Sequence, residues 1–361
     1  MKPDCALLLA VLADPASAGR LALADWSQLI ALARAANLLG TLAERLAKAG
    51  VQAPPAPERH LQGALQLALR QRLSVRWEAE QLQRALGGLG VPVLLLKGAA
   101  YVVGNFPAGE GRMFGDIDIL VPRAAIGDVE MQLMLCGWVS AKADAYDQRY
   151  YREWMHELPP MTHLHRGTVI DVHHTLLPPT GRHHADVDAL LARSRPAPGL
   201  PALRLPAPED LVIHSLLHLV HEGELHHGLR DLCDVDRLLR RFALQEPDFW
   251  VRFEQAALSQ GLSLPILLGL GLLRQEFATP LPDALLARLQ GAAGRGPSAR
   301  LLALYHRAMH AVAPGAQAGQ AGWLLYVRSH ALRMPLGLLL RHLLTKAWMR
   351  QRQRAETPVD A

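Results

Sequence analysis

The run "DIDILV" at residues 116–121 constrains this chain more than any other stretch. Aspartate and isoleucine alternate there, as expected for a β-strand, so Asp116 and Asp118 share one face while Ile117, Ile119 and Val121 share the other. Two neighbouring carboxylates repel, and removing either from water is costly unless a cation or a hydrogen-bond donor meets it. The strand must therefore end at solvent or face a metal ion.

The flanking sequence sets that strand in an α/β (α+β) centre, a small mixed sheet between two helical domains. "VPVLLL" (91–96) reads as a buried strand leading into a helix from Gly98, and "PRAAIGDVEMQLMLCG" as a helix after Pro122. "MTHLHRGTVIDVHH" reads as a hairpin turning at Arg166-Gly167, and it carries a third acid, Asp171, inside an apolar β run. The expected divisions are an N-terminal helical arm over 1–90, a core over 91–180 and a C-terminal helical domain over 205–355. The last follows "RPAPGLPALRLPAPED", read as a Pro- and Gly-rich connection. No solenoid repeat is visible.

Paired aspartates suit magnesium, or manganese in its place, because these hard cations take carboxylate oxygens and keep sites for water and phosphate. Asp171 on an adjacent strand would complete a two-metal clamp for phosphoryl or nucleotidyl transfer. Gly98 at a strand-to-helix junction allows close backbone approach to a phosphate, with Lys97 and the bidentate Arg112 adding positive charge. A second reading makes Arg112 a structural ion-pair partner of Asp116. His173 and His174 alternate faces after Asp171, so one of them can face the site; either also reads as an ordinary strand residue, His174 more so.

In this order the elements resemble the DNA-polymerase-beta-type nucleotidyltransferase superfamily. Within it, "LLLKGAAYVVGNFPAGEGRMFGDIDILVP" followed by "VIDVHHTL" is similar to a branch of bacterial nucleotidyltransferases of mostly unknown substrate. That branch shows Lys-Gly, an Arg shortly before Asp-x-Asp, and a downstream Asp-x-His. Lys97-Gly98, Arg112, Asp116/Asp118 and Asp171/His173 match these motifs. The segments 23–46 and 207–239 resemble its helical arms, Asp234 matching an aspartate of the second. The resemblance implies a palm-type sheet that transfers a nucleoside monophosphate from ATP or another nucleoside triphosphate to an acceptor. It implies Asp116, Asp118 and Asp171 as catalytic metal ligands, and Lys97, Gly98 and Arg112 as nucleotide-binding residues. Two departures stand out. Ala99 replaces the Ser that often follows the Gly, and 17 residues separate Gly98 from Asp116, more than usual. The acceptor stays open: a small hydroxyl compound, a protein side chain or a nucleic-acid end.

Three scattered cysteines (Cys5, Cys136, Cys233) give no disulfide framework, which fits a reducing compartment and a cytoplasmic location. "CALLLAVLADPASAG" is a poor export signal, since Asp4, Asp14 and Pro15 bound its apolar run. His214, His218 and His221 share one helical face. They read as zinc ligands or, better, as hydrogen-bonded imidazoles where the helical arm meets the centre. Eleven Arg/Lys and no Asp/Glu fall between Ala284 and Ala355, against a net charge of +5 for the whole chain. A basic C-terminal helix over 334–354 could thus meet an anionic membrane surface or nucleic acid, or be a core helix ending in a solvated tail. Two other functions fit the same residues: a non-catalytic nucleotide-binding regulator or scaffold, and a basic nucleic-acid-binding module.

Overall fold

The computed structural model describes residues 5–140, 148–181, 183–221, 223, 225–312, 319–335, 337 and 339. Almost all of the expected basic C-terminal helix lies outside the described residues.

Helices α1 (Ala6–Ala13), α2 (Leu23–Ala35) and α3 (Leu39–Lys48) open the chain. In α2 the buried residues Trp26, Leu29, Ile30 and Ala33 recur at the three- and four-residue spacing of one helical face. Helix α4 (Pro55–Leu86) begins on a proline, tolerated in a first turn where its missing N–H would have no helical partner. Its 32 residues span roughly 48 Å at 1.5 Å per residue, long enough to back the sheet and also reach the N-terminal helices.

The sheet takes its strands from 93–205, interleaved with three helices. In chain order these are β1 (Val93–Leu95), α5 (Lys97–Val103), β2 (Asp116–Leu120), α6 (Ile126–Leu135) and β3 (Trp138–Ser140). Then come β4 (Met161–His163), β5 (Val169–His173), α7 (Val187–Arg193), β6 (Arg195–Ala197) and β7 (Leu200–Leu205). The spatial order is β3-β4-β5-β2-β1-β7-β6, with β2/β5 and β1/β7 parallel and the other pairs antiparallel. The β4–β5 hairpin turns at Gly167, whose φ of +69° suits glycine.

The fold is thus mixed α and β, but the sheet does not stop near residue 180. The segment read as a connection is a hairpin, β6–β7, turning at Gly199 (φ +74°) and docking β7 against β1 with Val93 opposite Leu203. Its prolines read as breakers, yet Pro196 lies on the edge strand, where a missing N–H costs little. Leu200, Leu203 and Leu205 are buried and anchor the pair.

The C-terminal part holds α8 (Pro208–His221), α9 (Gly228–Gln245), α10 (Phe249–Ser259) and α11 (Ser263–Phe277). It continues with α12 (Asp283–Ala293), α13 (Ala299–Met309) and α14 (Gly319–Arg333). Helix α8 is the hub: 13 of its 14 residues are buried, and it touches α5, α9, α10, α11 and α14. One apolar cluster runs from Cys5 through Ile117, Ile119 and Val172 to Leu325, joining the N-terminal helices, one sheet face and the C-terminal helices. A smaller cluster of Leu94, Leu96, Leu120, Leu176 and Leu190 covers part of the other face. Asp116 and Asp118 share that second face with Leu120, at the end the small cluster leaves open.

Candidate active site

The parallel β2/β5 ladder sets Asp118 opposite Asp171, Asp116 opposite Val169 and Leu120 opposite His173. Alternation then puts Asp116, Asp118, Asp171 and His173 on one face. Ile117, Ile119, Ile170 and Val172 are buried on the other, in the main core. The three sequence-picked acids are therefore gathered on neighbouring strands.

Asp116 is exposed at the first position of β2, whereas Asp118 is buried. The Lys97 ammonium lies 3.1 Å from Asp118 Oδ1, and His173 Nε2 lies 3.0 Å from the same oxygen. The other ring nitrogen of His173, Nδ1, is 3.3 Å from Glu157 Oε2, and a β-bridge ties Glu157 to His173. Asp171 Oδ1 is buried and has no hydrogen-bond partner among the described residues. His174, on the opposite side of the strand, gives its backbone N–H to His156.

These environments split the acids. Burial works against ionising Asp118, but the Lys97 charge and the His173 hydrogen bond hold its carboxyl well below the usual range. Burial, then the charges of Asp118 and Glu157, push Asp171 up to about 8. Burial and the Asp118 charge also raise Asp116, and burial raises Glu157. Burial opposes the charge on Lys97, yet Asp118 and Asp116 keep it above its ordinary value. Near neutral pH the site thus holds an ionised Asp118 beside a protonated Asp171.

Lys97 has a left-handed backbone (φ +40°), costing about 1 kcal/mol or more for a residue with a Cβ. That turn starts α5 and aims the ammonium at Asp118. Gly98 also has a packing role that the sequence did not show. A Cβ there would lie 2.8 Å from Phe114 Cδ1 and 3.0 Å from Arg112 Nη1, so glycine admits these two side chains. The space read as a phosphate cradle is filled on that side.

Arg112 does not pair with Asp116. Its Nε lies 2.6 Å from Asp234 Oδ2 on α9, Nη2 lies 3.7 Å from Asp231 Oδ1, and its guanidinium sits over the Phe114 and Tyr101 rings. The direction of the guanidinium follows from those two rings and from the buried carboxylate on α9. Arg112 thereby ties the strand-bearing centre to the C-terminal helices, as does the 2.7 Å hydrogen bond between Tyr101 and Ser215 of α8.

Three cavities meet at Asp116. One, of about 120 Å³, is walled by Lys97, Gly98, Arg112, Asp118 and His218. Another, of about 240 Å³, is lined by Glu157, Asp171, His173, His218 and Arg333. The largest, about 460 Å³, opens between Trp77 and Glu78 of α4, Phe114, and the Arg166–Thr168 hairpin turn. There Glu78 accepts hydrogen bonds from Arg166 (2.8 and 3.0 Å) and Thr168 (2.7 Å), and Arg166 sits over Trp77 and Trp138.

Sequence reasoning missed Glu157, His156, Glu78 and Arg166 as members of this region. Glu157 follows a short π-helical turn (Tyr150–Trp154) in a segment without strand or helix periodicity, and Glu78 looks like any polar residue of a long helix. Among the described residues, His156, Glu157 and His173 offer three ligand atoms within 4.8 Å of one another. The α8 histidines take separate places: His214 is buried, His218 lines two of the cavities, and His221 Nδ1 meets the Leu217 carbonyl. Of the basic C-terminal residues described, Arg288 pairs with Glu254, while Arg328 and Arg333 donate to the carbonyls of Val220 and His221. No helix among the described residues is long and apolar enough to cross a membrane.

A family model described as "Uncharacterised nucleotidyltransferase" matches residues 22–278, from the start of α2 to just past α11. No curated protein and no solved structure matches the chain.

Proposed function

We propose a reaction from one premise: the chain belongs to the family of uncharacterised nucleotidyltransferases. In this proposal the sheet is a polymerase-beta-type palm, and the protein transfers a nucleoside monophosphate from a nucleoside triphosphate to an acceptor. The observation that carries it is the β2/β5 register, which sets Asp171 opposite Asp118 with Asp116 on the same face.

The donor set fits a hard divalent cation. Asp116, Asp118, Asp171 and Glu157 are oxygen donors around shared cavities, and the buried Asp171 oxygen has no hydrogen-bond partner among the described residues. Asp116, Asp118 and Asp171 would hold magnesium or manganese, which supplies charge neutralisation for the triphosphate and for the leaving pyrophosphate. Lys97 presents a buried positive charge on the wall shared by the two smaller cavities, where phosphate oxygens would lie. Asp171, once ionised, is the base for the acceptor hydroxyl, and His173 holds Asp118 in place through its hydrogen bond to Oδ1. Arg112 and Gly98 act by keeping α5 and α9 together, and Trp77 with Arg166 offers a flat, cationic wall for the acceptor or the base.

The test is turnover of labelled nucleoside triphosphates with magnesium, comparing wild type with the Asp116→Asn/Asp118→Asn double variant. Turnover lost by a hundredfold or more in a folded variant is expected. Full turnover in the variant would overturn the site assignment. One observation favours a non-catalytic nucleotide-binding role instead: Asp118 is already neutralised by Lys97 and His173. Calorimetric triphosphate binding in the wild type with no product formed would select that role.

A further inference from the structure

A second cluster lies away from the sheet. Glu276, near the end of α11, faces His306 on α13 and His310 one turn further on, in the 3₁₀ turn that follows. His306 Nδ1 is 2.7 Å from Glu276 Oε1 and His310 Nε2 is 2.9 Å from Glu276 Oε2. The three ligand atoms lie within 4.8 Å of one another. None of these residues lines a cavity of the acid site, so the cluster is a separate centre.

We propose that Glu276, His306 and His310 bind a zinc-like transition-metal ion that staples α11 to α13. Two imidazole nitrogens and one carboxylate, leaving an open position, form a donor set suited to zinc. His306 and His310, four residues apart across the end of α13, turn their rings to the same side, with centroids 4.0 Å apart. At zinc–ligand bonds of about 2.0–2.1 Å, tetrahedral donors stand about 3.3 Å apart, so an ion enters when the two hydrogen bonds lengthen slightly and the three ligand atoms, now within 4.8 Å of one another, close around it.

Charge points the same way. The Glu276 side chain is 2% exposed, and its hydrogen-bond partners among the described residues are the two imidazoles and the Gln275 amide. A divalent cation held between this buried carboxylate and the two imidazoles would balance its charge. The His306 side chain, 40% exposed, leaves a path for the ion and a fourth position open to water. Beside it, Tyr305 donates to the Val220 carbonyl of α8 and Arg328 of α14 reaches the same oxygen, so a staple here would brace the hub helix.

The test uses the full chain stripped with chelator, titrated with zinc chloride by calorimetry and with cobalt(II) by visible absorption. The comparison is the His306→Gln/His310→Gln double variant, whose amides can still donate to Glu276 but ligate zinc poorly. The wild type is expected to bind one equivalent more than the variant, and its zinc-induced rise in melting temperature is expected to be absent from the variant. Because the count is a difference, zinc taken up at His156, Glu157 and His173 cancels. Equal equivalents and equal thermal shifts would overturn the proposal. Should the double variant not fold, Glu276→Gln serves: at least tenfold weaker binding of that equivalent is expected, and unchanged affinity would overturn it.

Discussion

Asp118 and Asp171 face each other across parallel strands and hold opposite protonation states. Asp118 Oδ1 meets both the Lys97 ammonium and the His173 imidazole, while Asp171 Oδ1 meets no hydrogen-bond partner among the described residues. Two carboxyl groups pushed apart in this way supply both a stable anion and a group that ionises only when positive charge arrives. Metal or substrate binding would thus be linked to proton release.

This linkage fixes a pH dependence of stability. Asp171 titrates at about 8 in the folded chain, against 3.8 for an unperturbed aspartate. Between these values the folded state binds more protons than the unfolded one, so this group's contribution to stability falls as pH rises through that window. In chelator, Asp171→Asn should melt at a higher temperature than wild type by a margin that grows from acid pH up to pH 8 and then levels. A constant margin from pH 4 to 9 in thermal melts would show that Asp171 is not so perturbed.

The same substitution separates chemistry from binding. If Asp171 takes the acceptor proton, Asp171→Asn should cut turnover by about a hundredfold or more, because such a base acts in the transition state. Triphosphate affinity should change only modestly, since Asp116, Asp118 and Lys97 are intact. Single-turnover rates and calorimetry in parallel measure the two effects. An Asn variant at full rate would remove Asp171 from the mechanism.

Local signals made the acid strands legible. "DIDILV" and "VIDVHH" show two-residue alternation, and Arg166-Gly167 marks a hairpin turn, so faces and turn follow from a few residues. The β6–β7 hairpin was hidden because Pro196, Pro198 and Pro201 read as breakers, and only the docking of β7 against β1 shows which of them sits on an edge. The partner of Arg112 was hidden by distance: Asp234 is 122 residues away, brought close by the packing of α9 on the Pro107–Gly109 turn. Glu157 follows a segment with no period to read.

That Arg112–Asp234 contact makes a stability prediction. Both side chains are buried, and removing the Asp234 charge leaves Arg112 with the longer 3.7 Å contact to Asp231. Asp234→Asn should cost about 3–5 kcal/mol in urea unfolding. Replacing both by apolar residues (Arg112→Met with Asp234→Leu) should recover much of that loss. A double variant as unstable as the worse single one would mean that the pair contributes by shape more than by charge.

The basic C-terminal segment is tested by deletion. If residues 334–354 meet an anionic surface, removing 349–361, which carries three arginines, should weaken binding to phosphatidylserine vesicles severalfold and spare turnover. Cosedimentation with vesicles and with an oligonucleotide tells the two surfaces apart. Unchanged binding to both would leave the charge excess as composition alone.

Gly98 carries the last prediction, because two physical reasons for a glycine there have different consequences. Its place in the first turn of α5 tolerates any helix former, so Ala would improve the backbone if space allowed. Space does not allow it, since the new Cβ would press on the Phe114 ring at 2.8 Å and on Arg112 at 3.0 Å. Such overpacking typically costs about 1–3 kcal/mol, and here it would push Arg112 away from Asp234. Gly98→Ala should therefore destabilise the protein, and Phe114→Leu in the same chain should restore part of the loss by vacating the ring. If the glycine serves packing alone, turnover returns with stability in the double variant. If it also admits a phosphate, stability returns while triphosphate affinity stays low, and urea unfolding with calorimetry on the same preparations separates the two.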